Sequence, residues 1–403
     1  MAALKYWVWL ASVPSLTNRS KLLLLEHFAS PEDIFYADED EYLQIEGMSK
    51  TQAALLLDKS MECAERILTD CARKELFVLT MDDATYPYRL RNIYDPPILL
   101  YGKGSMPLFD DEAAIAVVGT RNCSPYGVSA AEQLGYEMAK SGAIVVSGMA
   151  KGIDAAAHRG ALRAGGFTAA VLGGGVDVVY PAENRRLYED IAATGVLLSE
   201  YPPQAEPEGW HFPVRNRIIS GLSLATVVVE APERSGALIT ANTALEQGRE
   251  VFAVPGPINA PNSVGCHQLI REGAGLASCG WDILGEYQNR YPHRLKKSGE
   301  SLPAMPEGSE EKREPAKAVE TIPEAATLPI LDLTKNEEGL TDDQLHIIQV
   351  LTTDQPMLTD DVAEITGLPV RRVLSALTVL EIDGFACEQG ARCFVRTVEI
   401  KKE

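Results

Sequence analysis

No run of about 18 apolar residues occurs in the 403-residue sequence, so a membrane-spanning helix is not expected. The apolar stretch at 6–13 lacks a basic segment ahead of it and a cleavage-like site behind it, and it does not read as a signal peptide. A cytoplasmic location and no membrane partner follow as expectations. Basic residues are few: 37 Lys and Arg stand against 57 Asp and Glu, a formal charge of -20, which argues against broad electrostatic adhesion to nucleic acid or anionic lipid. Any phosphate-bearing partner must therefore be held by a local site. The seven cysteines include no C-x-x-C pair, which suits reduced thiols and offers no zinc ligand set, so no metal is expected. What is present is globular: 46% hydrophobic beside 23% charged residues, over a length that allows about two to four domains.

Residues 1–70 read as short amphipathic helices, with apolar Leu22, Leu23, Leu24, Leu25 and Phe28, then Ile34, Tyr42, Leu43 and Ile45, then Ala53, Leu55 and Leu56. The turn Ile45-Glu46-Gly47-Met48-Ser49-Lys50 fits either a helix-hairpin-helix, which holds a DNA phosphate on backbone amides, or a plain helical packing domain. The scarcity of bases there favours the second. Residues 71–109, with Tyr86-Pro87 and Asp95-Pro96-Pro97, read as an extended connector. From 110 to 293, apolar runs at 114–118, 143–146, 168–172, 196–199, 225–229 and 251–254 alternate with helical stretches at 127–140, 154–164, 184–192, 216–221 and 239–247. That alternation predicts a parallel sheet with crossover helices. Residues 294–337, dominated by Pro, Glu, Lys, Ser and Ala, read as a disordered linker, and 338–403 as three helices and a hairpin, a winged helix. The expected fold is α/β: a Rossmann-like doubly wound parallel sheet, with an N-terminal helical domain like a SAM or helix-hairpin-helix domain and a C-terminal winged helix.

Ligands of a doubly wound sheet gather beyond the carboxyl ends of its strands. After the first run comes Gly119-Thr120-Arg121-Asn122-Cys123-Ser124, and after the second Ser147-Gly148-Met149-Ala150-Lys151-Gly152-Ile153-Asp154. Gly173-Gly174-Gly175 follows the third, Trp210-His211-Phe212-Pro213-Val214-Arg215-Asn216-Arg217 the fourth, and Glu230 with Arg234-Ser235-Gly236 the fifth. Glycines allow close backbone approach, and amides at helix starts point at an anion, which is the chemistry of a phosphate site. Residues 110–286 hold 20 acidic and 12 basic side chains, yet Arg121, Lys151, Arg185, Arg186, Arg215, Arg217 and Arg234 all fall in or beside these loops. An acidic domain that gathers its cations on one rim has a focused anion site. Acids Asp154, Asp177, Glu183, Glu200, Glu230 and Glu233 share that rim, so an ion pair is each arginine's alternative role. Trp210-His211-Phe212 beside Arg215 and Arg217 adds a stacking surface, as single-stranded nucleic acid requires, although a phenylalanine ahead of a helix is also a common core anchor.

Seven motifs in chain order resemble the DNA-processing protein A (DprA/Smf) family. They are Tyr86-Pro87 with Asp95-Pro96-Pro97 and Tyr101; Val118-Gly119-Thr120-Arg121; the loop from Ser147 to Asp154 with His158; Tyr180-Pro181 with Glu183-Asn184-Arg185; Phe212-Pro213 with Arg215-Asn216-Arg217; Arg234-Ser235-Gly236 with Leu238-Ile239-Thr240; and Gln247-Gly248-Arg249-Glu250 with Val254-Pro255-Gly256. The resemblance implies a single-stranded DNA-binding recombination mediator that loads RecA recombinase, as in natural transformation, with no catalytic residue and no cofactor. It implies DNA contact at Arg121, Lys151, Phe212, Arg215 and Arg217; the loop reading adds Gly119, Thr120, Ser147, Gly148, Gly152, Asn216, Arg234, Ser235 and Gly236. It also implies a homodimer through the segment holding His267, Leu269 and Ile270. Met149 and the triple glycine at Gly173, Gly174 and Gly175 depart mildly from the family pattern.

Two other readings compete. Rossmann-like nucleotide N-glycosidic hydrolases of the LOG group resemble P-G-G-x-G-T-x-x-E near the fifth strand, but here Thr243 stands in place of the acid, leaving Glu230 or Asp154 as substitutes. His158, among alanines, reads as structural. Alternatively the winged helix is a transcriptional regulator with the Rossmann domain as sensor. Residues 340–403 carry 11 acidic against 6 basic side chains, with Arg371 and Arg372 on the recognition helix and Arg392 and Arg396 on the wing, a poor surface for duplex DNA.

Overall fold

Ala114–Val118 is buried throughout and alternates between two cores: Ala114, Ala116 and Val118 enter one, Ile115 and Val117 the other. A strand covered on both faces has no polar side to show, which is why it reads as one apolar run. The same logic builds most of the sheet. The computed structural model describes residues 3–297, 330–331 and 340–400, apart from 354–356, 383–384 and 389–392. Among them, one sheet holds β1 (Phe77–Thr80), β2 (Leu99–Gly104), β3 (Ala114–Val118), β4 (Ile144–Ser147), β5 (Thr168–Val171), β6 (Val196–Ser199), β7 (Ala225–Val228), β8 (Glu250–Ala253) and β9 (Gly275–Leu276). Its order is β1-β2-β6-β5-β4-β3-β7-β8-β9. The strands from β6 to β9 run parallel, whereas β1 pairs antiparallel with β2 and β2 with β6.

The Rossmann-like sheet and its crossover helices are as the sequence predicts; the boundaries around them are not. Residues 71–109, expected as a connector, contribute two strands, because Phe77-Val78-Leu79-Thr80 pairs with Leu99-Leu100-Tyr101-Gly102 and extends the sheet by its antiparallel edge. The N-terminal helices α1 (Leu4–Ser12), α2 (Asn18–His27), α3 (Pro31–Tyr36), α4 (Glu39–Leu43), α5 (Lys50–Leu55) and α6 (Glu62–Arg73) are not a separate body either. Trp7, Val8, Leu10 and Leu24 share one core with Leu99, Tyr101, Ala170 and Leu197 of the sheet, and the helices group with the sheet as one unit. In the Gly47 turn, Ile45 and Met48 are buried and Ser49 caps α5, the behaviour of a packing element.

After α7 (Tyr88–Arg91), the crossover helices are α8 (Pro125–Lys140), α9 (Ile153–Arg163), α10 (Arg185–Thr194), α11 (His211–Gly221) and α12 (Gly236–Glu246), followed by α13 (Val264–Arg271) and α14 (Gly280–Leu284). Two buried layers result, α11 to α13 packing on one face of the sheet and α8, α9 and α14 on the other. The linker expected from 294 begins later: Leu295 is buried, Arg294 pairs with Glu112 at 3.2 Å, and the Lys296 amide donates to Ser141 O at 3.0 Å. Most of the remainder lies outside the described residues.

A second unit carries α15 (Asp342–Val350), α16 (Thr359–Thr366) and α17 (Val370–Ile382) around a core of Ile347, Ile348, Val362, Val373, Leu377 and Leu380. With β10 (Ile330–Leu331), β11 (Met357–Leu358), β12 (Ala386–Glu388), β13 (Cys393–Arg396) and β14 (Glu399–Ile400), it forms the expected winged helix. Arg372 donates two hydrogen bonds to Asp343, at 2.8 and 2.9 Å, while Arg392 lies outside the described residues. No helix among the described residues is long and apolar enough to cross a membrane.

Candidate nucleic-acid interface

From β3 the chain winds outward through β4, β5 and β6, then returns to place β7 on the other side of β3. The loops leaving β3 and β7 therefore part from each other, and the crevice between them is the natural ligand position of an open α/β sheet. It holds about 610 Å³ and is lined by Gly119, Thr120, Arg121, Tyr180, Phe212, Asn216, Arg234, Ser235 and Gly236.

Two helix starts at this rim already hold an anion, and it is the protein's own. Ser124 caps α8 by accepting from the Gly127 amide at 3.1 Å, while its own amide and Oγ donate to Glu230 at 2.8 and 2.5 Å. Glu230 is 2% exposed, and its backbone oxygen accepts the Thr120 amide at 2.8 Å. At the start of α9, Asp154 Oδ2 accepts the amides of Gly148 and Ala150 at 3.2 and 3.4 Å, and burial raises its pKa. Amides that the sequence reading reserved for a phosphate are thus spent internally. The glycines serve packing as well: a Cβ on Gly119 would meet Ile153 at 2.5 Å, and one on Gly152, at φ +80°, would meet Thr120 O at 2.5 Å.

Arg215 and Arg217 require a second correction. Arg215 is 3% exposed; its Nη1 donates to Gly148 O at 2.9 Å and to Val171 O, and burial pushes its pKa down to about 10. It ties the ends of β4 and β5 together. Arg217 donates to Glu200 at 2.7 and 2.8 Å and to Asp95 Oδ2 at 2.9 Å; burial works against its charge, and the two carboxylates more than restore it. Ser147 is buried and donates to Val117 O at 2.6 Å. A Cβ on Gly148 would meet the Arg215 guanidinium at 2.5 Å, so that loop closes against Arg215. These four residues hold the site's frame.

The accessible chemistry is left to others. Arg121 is exposed, has no ion-pair partner among the described residues, and lies 4.8 Å over the centroid of Phe212. Phe212 is half-buried, 5.5 Å from Tyr180 and close enough to Gly173 that a Cβ there would meet its ring at 2.9 Å. Lys151 is exposed and pairs with Glu183 at 2.8 Å, a surface contact that a stronger partner can displace. Arg234 is exposed, Ser235 Oγ accepts the Ala237 amide at 3.3 Å, and no atom lies within 4 Å of a Cβ built on Gly236. The α12 start is thus open to the crevice. Tyr180, 44% exposed, belongs to the same wall although it is not among the expected contact residues; its signals are the Tyr180-Pro181 motif and an aromatic residue in a post-strand loop.

His158 is fully buried; Thr168 Oγ1 donates to Val145 O, so it accepts from His158 Nδ1 at 2.7 Å, and burial pushes the imidazole down to about 3. It is structural. At the other end of the unit, Leu269 is 5% exposed inside the core and Ile270 packs against it, while His267 Nε2 donates to Gly256 O at 2.9 Å. They cap the sheet. The apolar side chains exposed in that region include Ile258 (94%), Val264 (41%), Leu276 (51%) and, beside Leu269, Leu245 (55%).

A family model described as DNA recombination-mediator protein A matches residues 77–288, and a DprA winged helix domain model matches 332–391. The chain belongs to the DprA/Smf family. DNA processing protein DprA of Streptococcus pneumoniae is 39% identical over 289 residues, covering 72% of this chain and all of its own length. Protein Smf of Synechocystis is 34% identical over 403 residues, covering 97% of this chain and 98% of its own. The X-ray structure of DNA processing protein A (DprA) from Streptococcus pneumoniae aligns with a TM-score of 0.63 at 40% identity, over 70% of this chain and 97% of that one. The sheet and its switch-point crevice fall inside residues 77–288, and α15, α16, α17, β11 and β12 fall inside 332–391.

Proposed function

We propose that the crevice binds single-stranded DNA and that the protein is a recombination mediator that delivers the strand to RecA recombinase. One observation carries the reading: an exposed arginine with no ion-pair partner among the described residues lies on the face of a half-buried phenylalanine at the switch point. Arg121 supplies charge to a phosphate, Phe212 and Tyr180 supply rings to a base, and Asn216, Arg234 and the open start of α12 extend the contact. A stiff duplex does not offer its bases to rings set inside a crevice. No bond is made or broken in this reading, and the carboxylates that a hydrolase would need, Glu230 and Asp154, are engaged by backbone amides and a hydroxyl.

Fluorescence anisotropy of labelled oligonucleotides tests it: single strands bind far more tightly than duplex of the same length, and the affinity falls as salt rises. Equal affinity for duplex refutes the crevice reading. RecA delivery is tested by the rate of RecA assembly on strands coated with single-strand-binding protein; a rate unaffected by this protein refutes it. A homodimer through the α13 end of the sheet would use Ile258, Val264 and Leu276, since Leu269 is buried. Ile258→Arg then gives a folded monomer by light scattering, and a variant that stays dimeric moves the interface elsewhere.

A further inference from the structure

The first turn of α11 is a ridge with a concavity on each side. Phe212, Pro213 and Asn216 line the crevice, whereas Trp210, Val214 and Arg217 line a separate cleft of about 270 Å³ against Asn18 and Lys21 of α2. Trp210 is 61% exposed, although its ring touches His211 at 4.2 Å and Tyr201 at 6.4 Å between centroids. Tyr201 stacks on His211 at 3.8 Å and lines the same cleft, and its hydroxyl is buried without a hydrogen-bond partner. On the opposite wall, Tyr94 precedes the cleft residue Asp95 and is 85% exposed. Arg19 Nη1 donates to its hydroxyl at 2.7 Å, and Arg19 has no ion-pair partner among the described residues. Of the acids at the cleft, Asp95 accepts from Asn18 at 2.7 Å and Arg217 at 2.9 Å and Glu200 binds Arg217 at 2.7 Å, while Glu208 accepts the Trp210 indole N–H at 2.6 Å. The Lys21 ammonium donates to Ala11 O at 2.6 Å.

An exposed indole, an unmet buried hydroxyl and an exposed guanidinium with no carboxylate partner among the described residues, set around one cleft, fit a planar base with a hydrogen-bonding edge and an adjoining phosphate. We propose that this cleft is a second station for the same single strand. The backbone crosses the α11 ridge, one base stacks on Phe212, a later base stacks on Trp210 with its edge at the Tyr201 hydroxyl, and a phosphate reaches Arg19. The inference rests on the reading that the crevice holds single-stranded DNA. It gives the N-terminal helices a part in strand binding.

The test uses the full chain and oligothymidylates of about 4 to 16 nucleotides, the range of site sizes for single-strand binders. Trp210→Ala weakens the longest oligonucleotide by about five- to 150-fold and leaves the shortest unchanged, as loss of one stacking contact requires. Trp210→Phe restores most of the loss. Arg19→Ala lowers the salt slope by about 0.7 for long strands only. Losses equal at every length, or no loss at any length, overturn the second station. Arg121→Ala and Phe212→Ala, measured beside them, weaken all lengths; if they do not, the crevice reading has failed instead, whatever Trp210→Ala does. Because Trp210 is largely exposed, its variants keep the parent's melting temperature, which is measured alongside.

Discussion

Arg121→Ala removes the exposed guanidinium that lies 4.8 Å over Phe212 and leaves the loop's anchors, the Thr120 and Ser124 bonds to Glu230, in place. The loss is therefore one of binding and not of folding. A charge-assisted hydrogen bond to a phosphate is worth about 1.5 to 3 kcal/mol, so the dissociation constant for a single strand rises by roughly tenfold to a hundredfold. Losing one neutralised phosphate also lowers the slope of log affinity against log salt by about 0.7. The stacked geometry adds a third expectation. Arg121 and Phe212 share a cation–π contact worth about 0.5 to 1 kcal/mol at an exposed site, so the double variant loses less than the two single variants together. Anisotropy titrations at several salt concentrations measure all three quantities. Affinity within twofold of the parent, with an unchanged salt slope, would show that Arg121 faces no phosphate.

Further expectations follow from other parts of the fold. Glu230→Ala leaves the Ser124 amide and hydroxyl without their acceptor and costs about 2 to 3 kcal/mol of stability by urea denaturation, together with lost strand affinity as the Arg121 loop loosens; full stability would remove Glu230 from the frame. Lys21 has its pKa lowered from 10.5 to about 8 by burial, so the unfolded chain binds more protons above pH 8 and stability rises with pH from there. Lys59, lowered to about 8 by burial in the same way, adds to the rise, while Cys71 and Cys266, pushed up to about 11 by burial, oppose it above about pH 9, so the melting temperature rises between pH 8 and 9, and Lys21→Met removes about half of the rise. Removing residues 338–403 leaves single-strand affinity within about threefold, because Arg372 of α17 is already paired with Asp343; abolished binding would assign the strand to the winged helix.

The parallel strands were legible because burial on both faces leaves an unbroken apolar run, as in Ala-Ile-Ala-Val-Val at β3. The edge strands were not. β1 is buried only over its last two residues, β2 ends in Gly-Lys-Gly after two prolines, and β9 has two residues, so none carries a pattern that outweighs its neighbours. At the site, Arg121 was legible from its place in a post-strand loop, and Phe212 from the aromatic segment beside Arg215 and Arg217. The fates of Arg215 and Arg217 were not, because Asp95, Glu200 and the carbonyls of Gly148 and Val171 reach them only through tertiary folding. The same holds for Leu269 and Ile270: an apolar pair in a short helix reads alike whether it caps its own sheet or a partner's.

Photochemical crosslinking of a 4-thiothymidine oligonucleotide to the full chain, followed by mapping of the modified peptides, locates the bound strand without relying on any variant. Adducts on the peptides that carry Phe212 and Tyr180, competed away by unlabelled single strand and not by duplex, are the expected result. Adducts confined to α17 of the winged helix, with none beside the crevice, would contradict it.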